Sequence, residues 1–531
     1  MTVAPTTQGE TLERALARVR AGFVAVERPG GPEFVEVDWP AGLAATLDGD
    51  RVLGLVPPCP LENLGDSAFL REHGLRFAMV SGAMANGIGS TEIVEAMGRG
   101  GMLGIFGAAG LPVPAVEAAI DRLEHNLDAS VPRGFNLIHS PGEPTLEAAV
   151  VDLYLRRNIR LVEASAYLDL TLPVVRYRVA GLRRDASGRV VAPNKVIAKV
   201  SRVEVATKFL APPPPKLLAE LVNRGDITAE QAAMAAEIPM AADITAEADS
   251  GGHTDNQPAI VLLPTMLALR DRIQAQHGYA QVPRIGAAGG ISTPWSAAGA
   301  LAMGAAYLVI GSVSQSCVES GTSDAVRTML AEARQADIAM APAADMFEMG
   351  IKLQVLKRGT LFAMRAAKLY EAYRAYDSIE AIPAAERATL EKTIFRLPLD
   401  AVWVQTKAFF AVRDPSQVER ADRDPRHKMA LVFRWYLGQS SHWANAGDAS
   451  RAVDYQVWCG PAMAAFNDWV RGTWLEAPAA RRILPASLNI LHGAAVLQRA
   501  RSLAAQGLAP PTGTPRLVPL EPADLDPLIL P

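Results

Sequence analysis

The chain has 531 residues, 50% apolar and 20% charged, with a formal net charge of −4. That composition is globular and long enough for more than one domain, and it gives no case for nucleic acid as the main partner. Cys59, Cys317 and Cys459 lie far apart without metal-ligand spacing, which suits reduced thiols in a cytoplasmic protein and excludes a disulfide frame or a zinc site. No basic start leads into an apolar run, so no signal peptide is expected, and no apolar stretch is long enough to span a bilayer.

Residues 1–75 read as a small α+β leading segment. An amphipathic helix is expected over Thr11–Val24, with Leu12, Leu16, Val19 and Phe23 on one stripe. Phe34–Val37 and Arg51–Val56 read as short strands, and Pro57-Pro58-Cys59-Pro60 as a rigid connector. From residue 76 to 340 short apolar runs alternate with helical patterns. Strands are expected at Arg76–Val80, Met102–Phe106, Gly134–His139 and Leu161–Ser165, then at Val196–Val200, Ile244–Ala248, Arg284–Ala288 and Tyr307–Ile310. Ser90 is placed to cap the helix Thr91–Arg99, and Thr228 with Gln231 reads as a capping box. Arg184–Gly188 reads as a hairpin turn in extra material between Val175 and Asn194. Eight strand–helix units in roughly 250 residues favour a (β/α)8 TIM barrel over an open doubly wound sheet.

After residue 340 the pattern becomes helical. Met346, Met349, Leu353 and Leu356 share a helical spacing, and further helices are expected near 362–373, 386–396, 427–438, 452–471 and 485–505. The span 341–509 therefore reads as an all-helical C-terminal domain, a lid or a docking face. Its tryptophans (Trp435, Trp443, Trp458, Trp469, Trp474) suit a homodimer. Residues 510–531 are proline-rich and read as an extended tail.

The chemistry concentrates at the late strand ends. A barrel's phosphate site usually lies after strands seven and eight. Ala288-Gly289-Gly290 and Gly311-Ser312 fall there, where bare backbone lets N–H groups approach a dianion. Gly251-Gly252-His253 puts an imidazole at the mouth, as an acid or base near neutral pH or as a structural histidine bonded to its loop. Asn136 and Lys199 lie in strands three and five, as groups that touch a bound ring or as structural supports. Met84 is placed to floor an aromatic ring or to pack the core. Between Met346 and Tyr376, Lys352, Lys357, Arg358, Arg365, Lys368 and Arg374 outnumber Glu348 and Glu371; that surplus suits an acidic partner, a cofactor phosphate or a solvated helix face.

The loop Ser81-Gly-Ala-Met-Ala-Asn-Gly, the Gly-Gly-His253 strand end, Gly286-Ala-Ala-Gly-Gly-Ile and Ile310-Gly-Ser are similar to the flavin barrel shared by nitronate monooxygenases and FabK-type enoyl reductases. Glu247-Ala-Asp-Ser-Gly-Gly-His-Thr-Asp-Asn, Gly350-Ile-Lys-Leu-Gln-Val-Leu-Lys-Arg-Gly-Thr and Tyr455-Gln-Val-Trp-Cys-Gly-Pro-Ala-Met resemble the PfaD type more narrowly. Those are trans-acting enoyl reductases of polyunsaturated fatty acid synthases and trans-acyltransferase polyketide synthases. The resemblance implies FMN as cofactor, NADPH as co-substrate, and an enoyl thioester on an acyl carrier protein as substrate. It implies that Gly82, Ala83 and Met84 line the flavin, with Asn136 and Lys199 near its ring. Gly289, Gly290, Gly311 and Ser312 would hold its phosphate, Gly252 and Ala288 would complete the cofactor site, and His253 would be catalytic. The alternatives are an FMN-dependent nitronate monooxygenase and a non-catalytic assembly component of a megasynthase.

Overall fold

Short runs of β-branched and small apolar residues, each followed by a turn and a helix, close into one ring of eight parallel strands. The computed structural model describes residues 11–41, 43, 51–139, 144–508 and 517–529. The barrel strands are Met79–Ser81, Leu103–Phe106, Gly134–Ile138, Leu161–Ser165, Lys195–Val200, Asp243–Glu247, Arg284–Ala288 and Leu308–Ile310. Neighbours pair in chain order, and the eighth closes onto the first with Leu308 opposite Met79. Val196, Ile197, Ala198 and Ile285 are buried, as expected of parallel strands covered on both faces. The capping box at Thr228 and Gln231 forms, and Arg183–Arg184 pairs with Val190–Val191 around the expected turn.

One end of the barrel is plugged. The Asp66 carboxylate accepts the Ala68 and Phe69 N–H groups and starts the helix Ser67–His73. Phe69 stacks on Tyr307 at 4.1 Å between centroids. Asp243, at the start of the sixth strand, accepts from Arg284 at 2.6 Å and bonds His73 at 2.8 Å. Burial works to raise the Asp243 pKa, but His73 and Arg284 outweigh it and leave it below the usual carboxylate value. A satisfied buried cluster at the strand N-termini holds the barrel together and leaves the opposite end for chemistry.

The leading segment differs from expectation. The helix stops at Ala17, and Gly22–Arg28 is the central strand of a three-stranded antiparallel sheet with Gly31–Val37 and Val52–Val56. Val19 and Phe23 are buried all the same. Gly22 weakens a helix, and the ladders to both neighbours satisfy the backbone of Phe23–Val26 instead.

The C-terminal region is helical, with segments Phe362–Ala375, Leu399–Arg413, Pro425–Ala446, Ala462–Val470 and Ile483–Ala505 among its elements. Two stretches depart from the expected helices. Phe347–Met349 is a single 3-10 turn, Gly350 takes a left-handed φ of 71°, and Lys352–Leu356 is a strand. That strand pairs with Ile338–Pro342 on one edge and Gly252–His253 on the other. Residues 455–460 are extended, joined to it by a bridge between Val355 and Trp458. Of the expected tail, 510–516 and 530–531 lie outside the described residues, and Pro522–Ile529 is a short helix, not an extended arm. Phe347, Phe362, Leu369, Phe395 and Phe433 belong to a helical core of their own, whereas Ile490, Leu491 and Val496 of the last long helix join the core of the barrel.

Candidate active site

At the open end of the barrel lies a cavity of about 1140 Å³, roofed by the C-terminal helices. All the residues expected at the site line it: Gly82, Ala83 and Met84 after the first strand, Asn136 and Lys199 on the third and fifth, Gly252 and His253 after the sixth, Ala288, Gly289 and Gly290 after the seventh, and Gly311 and Ser312 after the eighth. They come together because each lies on a strand of one closed ring or in the segment that follows its C-terminal end.

The glycine loops are shaped by more than turning. Gly289 has φ +79°, and a Cβ there would stand 2.5 Å from the Ala248 carbonyl carbon. A Cβ at Gly290 or Gly311 would meet no atom within 4 Å, and both residues face the cavity. Side chains there would fill a cradle of bare backbone. That is the shape an anion needs to reach main-chain N–H groups.

Beside the cradle, where Glu247 pairs in register with Ala288, stands a charge cluster that the sequence only half revealed. The Lys199 ammonium donates to Glu247 Oε1 at 2.6 Å. Glu163, from the fourth strand, is buried and accepts the Ala83 N–H at 2.9 Å. Burial pushes the Glu163 pKa up, more than nearby Lys199 pulls it down. Burial works to lower the Lys199 pKa, but Glu247 and Glu163 outweigh it and the ammonium is held charged. Glu163 carried a signal, as the lone carboxylate of the strand Leu161–Ser165, and Glu247 ends its strand at the cavity. Asn136 donates through its amide to Ser165 Oγ at 2.7 Å and to the Glu163 carbonyl at 3.1 Å, which fixes the orientation of its side chain.

His253 is not partnered by its sequence neighbours. Asp255 accepts from Ser201 and Arg202, and Asn256 donates to Asp249 and Gln354. The imidazole Nε2 lies 3.0 Å from Asp345 Oδ1, and both side chains are about one-third exposed, at 34% and 33%. Burial works against the imidazolium, but Asp345 outweighs it and lifts the His253 pKa above its ordinary value. Asp345 itself is held low, as His253 and then its own backbone N–H outweigh the cost of burial. Sequence spacing placed this stretch near a helix, and nothing local pointed to Asp345.

The roof is latched to the mouth by backbone contact. A Cβ on Gly251 would stand 2.9 Å from the Cys459 nitrogen, and one on Gly460 would stand 2.8 Å from the Gly251 nitrogen. The Gly460 N–H also donates to Ser312 Oγ at 3.3 Å. Of the expected basic surplus, Lys352 faces the cavity, whereas Arg365 is tied to the fully buried Asp454 and serves the helical core. The three cysteines are free thiols. Among the described residues there is no cluster fit to hold a metal ion, and no helix is long and apolar enough to cross a membrane.

Comparison with known proteins agrees with this architecture. A family model described as nitronate monooxygenase matches residues 71–395. A second, described as the inserted helical domain of [acyl-carrier-protein] S-malonyltransferase, matches residues 376–455. A polyunsaturated fatty acid synthase polypeptide of Thraustochytrium sp. is 49% identical over 459 residues, which cover 85% of this chain and 30% of that protein. The polyketide biosynthesis protein PksE of Bacillus subtilis is 42% identical over 440 residues, covering 83% of this chain and 57% of PksE. The chain thus spans less than two-thirds of the length of these relatives. The crystal structure of the enoyl reductase domain of MlnA, from the macrolactin biosynthesis cluster of Bacillus amyloliquefaciens, superposes with a TM-score of 0.79 at 39% identity, covering 83% of this chain and 99% of that domain. This chain belongs to the nitronate monooxygenase family, in the branch that holds the enoyl reductase domain of MlnA, PksE and the polyunsaturated fatty acid synthase polypeptides.

Proposed function

We propose that this chain is an FMN-dependent enoyl reductase that uses NADPH to saturate the α,β double bond of a thioester held on an acyl carrier protein, within polyketide or polyunsaturated fatty acid synthesis. One observation carries the reading: the bare cradle at Gly290 and Gly311, the Lys199 ammonium and the His253 imidazole all face one cavity. The likeness to the enoyl reductase domain of MlnA and to a polyunsaturated fatty acid synthase polypeptide supports the same class of reaction.

The donor set fits FMN. Gly290, Gly311 and Ser312 would hold the phosphate through main-chain N–H groups, and Lys199 would set a positive charge beside the ring. FMN held there would supply the hydride that the substrate β-carbon needs. Negative charge then develops on the thioester oxygen, and polar groups at the mouth lower the barrier by meeting it in the transition state. His253, held by Asp345, delivers the proton to the α-carbon. The helical roof excludes bulk water from that step.

The test is anaerobic mixing of the purified protein with NADPH and a crotonyl carrier protein. The reading expects flavin absorption to bleach with NADPH and return on adding the carrier, with a butanoyl carrier as product. Bleaching without any saturated product, across several acyl lengths, sinks it. Oxygen uptake with a nitronate and no NADPH would instead establish monooxygenase chemistry.

A further inference from the structure

The cavity is larger than one cofactor requires. Its volume of about 1140 Å³ exceeds the roughly 300–1,000 Å³ usual for a single small-molecule pocket. The barrel mouth forms one end. The other end runs between two helices of the roof, Leu399–Arg413 and Pro425–Ala446. Its wall includes Thr406, Phe410, Leu431 and Trp435, and Phe409 and Val412, 52% and 90% exposed, stand at the outer lip. Spacings of three and four residues put these side chains on the facing stripes of the two helices.

Gly438 lies in the same wall, deep inside a 22-residue helix. Only proline is a poorer helix former than glycine, so its place there asks for a reason. Backbone conformation supplies none, because the residue is helical. Close packing supplies none either: a Cβ built there meets no atom within 4 Å. What the missing side chain leaves is open space in the channel.

We propose that this interhelical channel holds the apolar acyl tail of the substrate, and that Gly438 sets the length of tail admitted. The proposal rests on the enoyl thioester reading above. An unbranched tail leaving the thioester near His253 would run between walls that carry Phe410, Leu431 and Trp435 together with Arg434, Gln439 and His442. Each methylene buried there tightens binding by about fourfold. A side chain at position 438 would narrow the channel at that point, since a Cβ there meets no atom within 4 Å.

The experiment is calorimetric titration of the full chain with saturated acyl N-acetylcysteamine thioesters, which bind without turning over. Butanoyl, octanoyl and dodecanoyl tails are compared on the wild type, Gly438→Ala and Gly438→Leu, with thermal melting as the check on folding. The wild type is expected to bind longer tails more tightly. Gly438→Leu should keep butanoyl affinity within about twofold and lose at least about tenfold for dodecanoyl. Gly438→Ala should fall between and melt no lower than the wild type, so it decides the question if the leucine variant fails to fold. An unchanged length profile in the folded variants overturns the proposal. Equal weakening at every length also overturns it, and puts the thioester's pantetheine-like arm in the channel instead. A wild type that binds none of these thioesters, and saturates no enoyl carrier in the assay above, removes the reductase reading and the channel with it.

Discussion

His253 and Asp345 face each other at 3.0 Å, Nε2 to Oδ1, across the junction between the barrel and its roof. The imidazole arrives on the strand Gly252–His253, and the carboxylate from the turn before Lys352–Leu356, to which that strand pairs. The Met346 N–H donates to the same carboxylate at 3.1 Å. Lys199 and Glu247 act on the imidazole from the barrel side, and Arg434 acts on Asp345 from the roof. Asp345 thus positions His253. Replacing it with Asn keeps the shape and removes the charge. The Asp345→Asn variant should lose roughly ten- to a hundredfold in kcat, less than the ~10²–10⁴-fold typical of deleting an acid–base group, with KM nearly unchanged. The histidine limb of its pH–rate profile should move to lower pH. A profile unmoved by the substitution would show that the pair does not tune the imidazole.

The same pair makes stability depend on pH. The folded-state pKa of His253 lies above its ordinary 6.5. Its contribution is therefore fully present below about 6.5 and is lost as pH rises through the higher folded value. Asp345 lies below its ordinary 3.8, so its contribution is present above that value and fades as pH falls through the lower one. Urea unfolding of the wild type and Asp345→Asn should differ most between these two limits and converge in alkali. A difference that grows above pH ~9 would contradict the assignment.

Lys199 bonds Glu247 and pairs electrostatically with the buried Glu163. Lys199→Met would leave two carboxylates facing each other without their cation. Breaking such a pair by removing one member costs about 3 kcal/mol or more. The variant should melt well below the wild type, and adding Glu163→Gln should restore part of the loss. If the double variant is no more stable than Lys199→Met, the two residues are not coupled.

The barrel and its glycine loops were legible because their signals are local. Each strand end is a short apolar run stopped by small residues, and the ring places all the ends together. The helical roof was legible in outline for the same reason. Asp345 was not, because it meets His253 across 92 residues and sits in a stretch whose apolar spacing imitates a helix. Gly350 breaks that helix with its left-handed φ of 71°, and the strand Lys352–Leu356 is held by partners on both edges. Phe23 kept its place in the core while the element carrying it changed from helix to strand. Burial was readable there; the hydrogen-bond partners were not.

Gly311 separates cofactor binding from folding. Its φ of −128° is not left-handed, and a Cβ there meets nothing within 4 Å. Gly311→Ala should therefore fold with wild-type stability and project a methyl into the proposed phosphate cradle. FMN affinity, measured by fluorescence quenching on the purified chain, should fall at least about tenfold, or about 1.4 kcal/mol. Gly289→Ala should instead destabilise the fold, because it adds a left-handed φ of +79° to a clash with Ala248. Unchanged FMN affinity in Gly311→Ala would remove the phosphate from that loop.

Gly251 and Gly460 form the latch between mouth and roof. Neither has a left-handed φ, so alanine costs nothing in backbone strain at either position. What it costs is distance: each Cβ would stand within 3.0 Å of the other loop's backbone, and main chain cannot swing aside as a side chain can. Gly251→Ala and Gly460→Ala should each destabilise by about 1–3 kcal/mol, as overpacking does. Once one methyl has pushed the loops apart, the second enters space already opened. The double variant should thus lose less than the sum of the singles, by about 0.5 kcal/mol or more. Parting the loops also loosens the Gly460 N–H from Ser312 and opens the roof over His253, so limited proteolysis should cut the chain faster near residues 455–460. Strictly additive losses with unchanged proteolysis would mean that the two loops do not bear on one another.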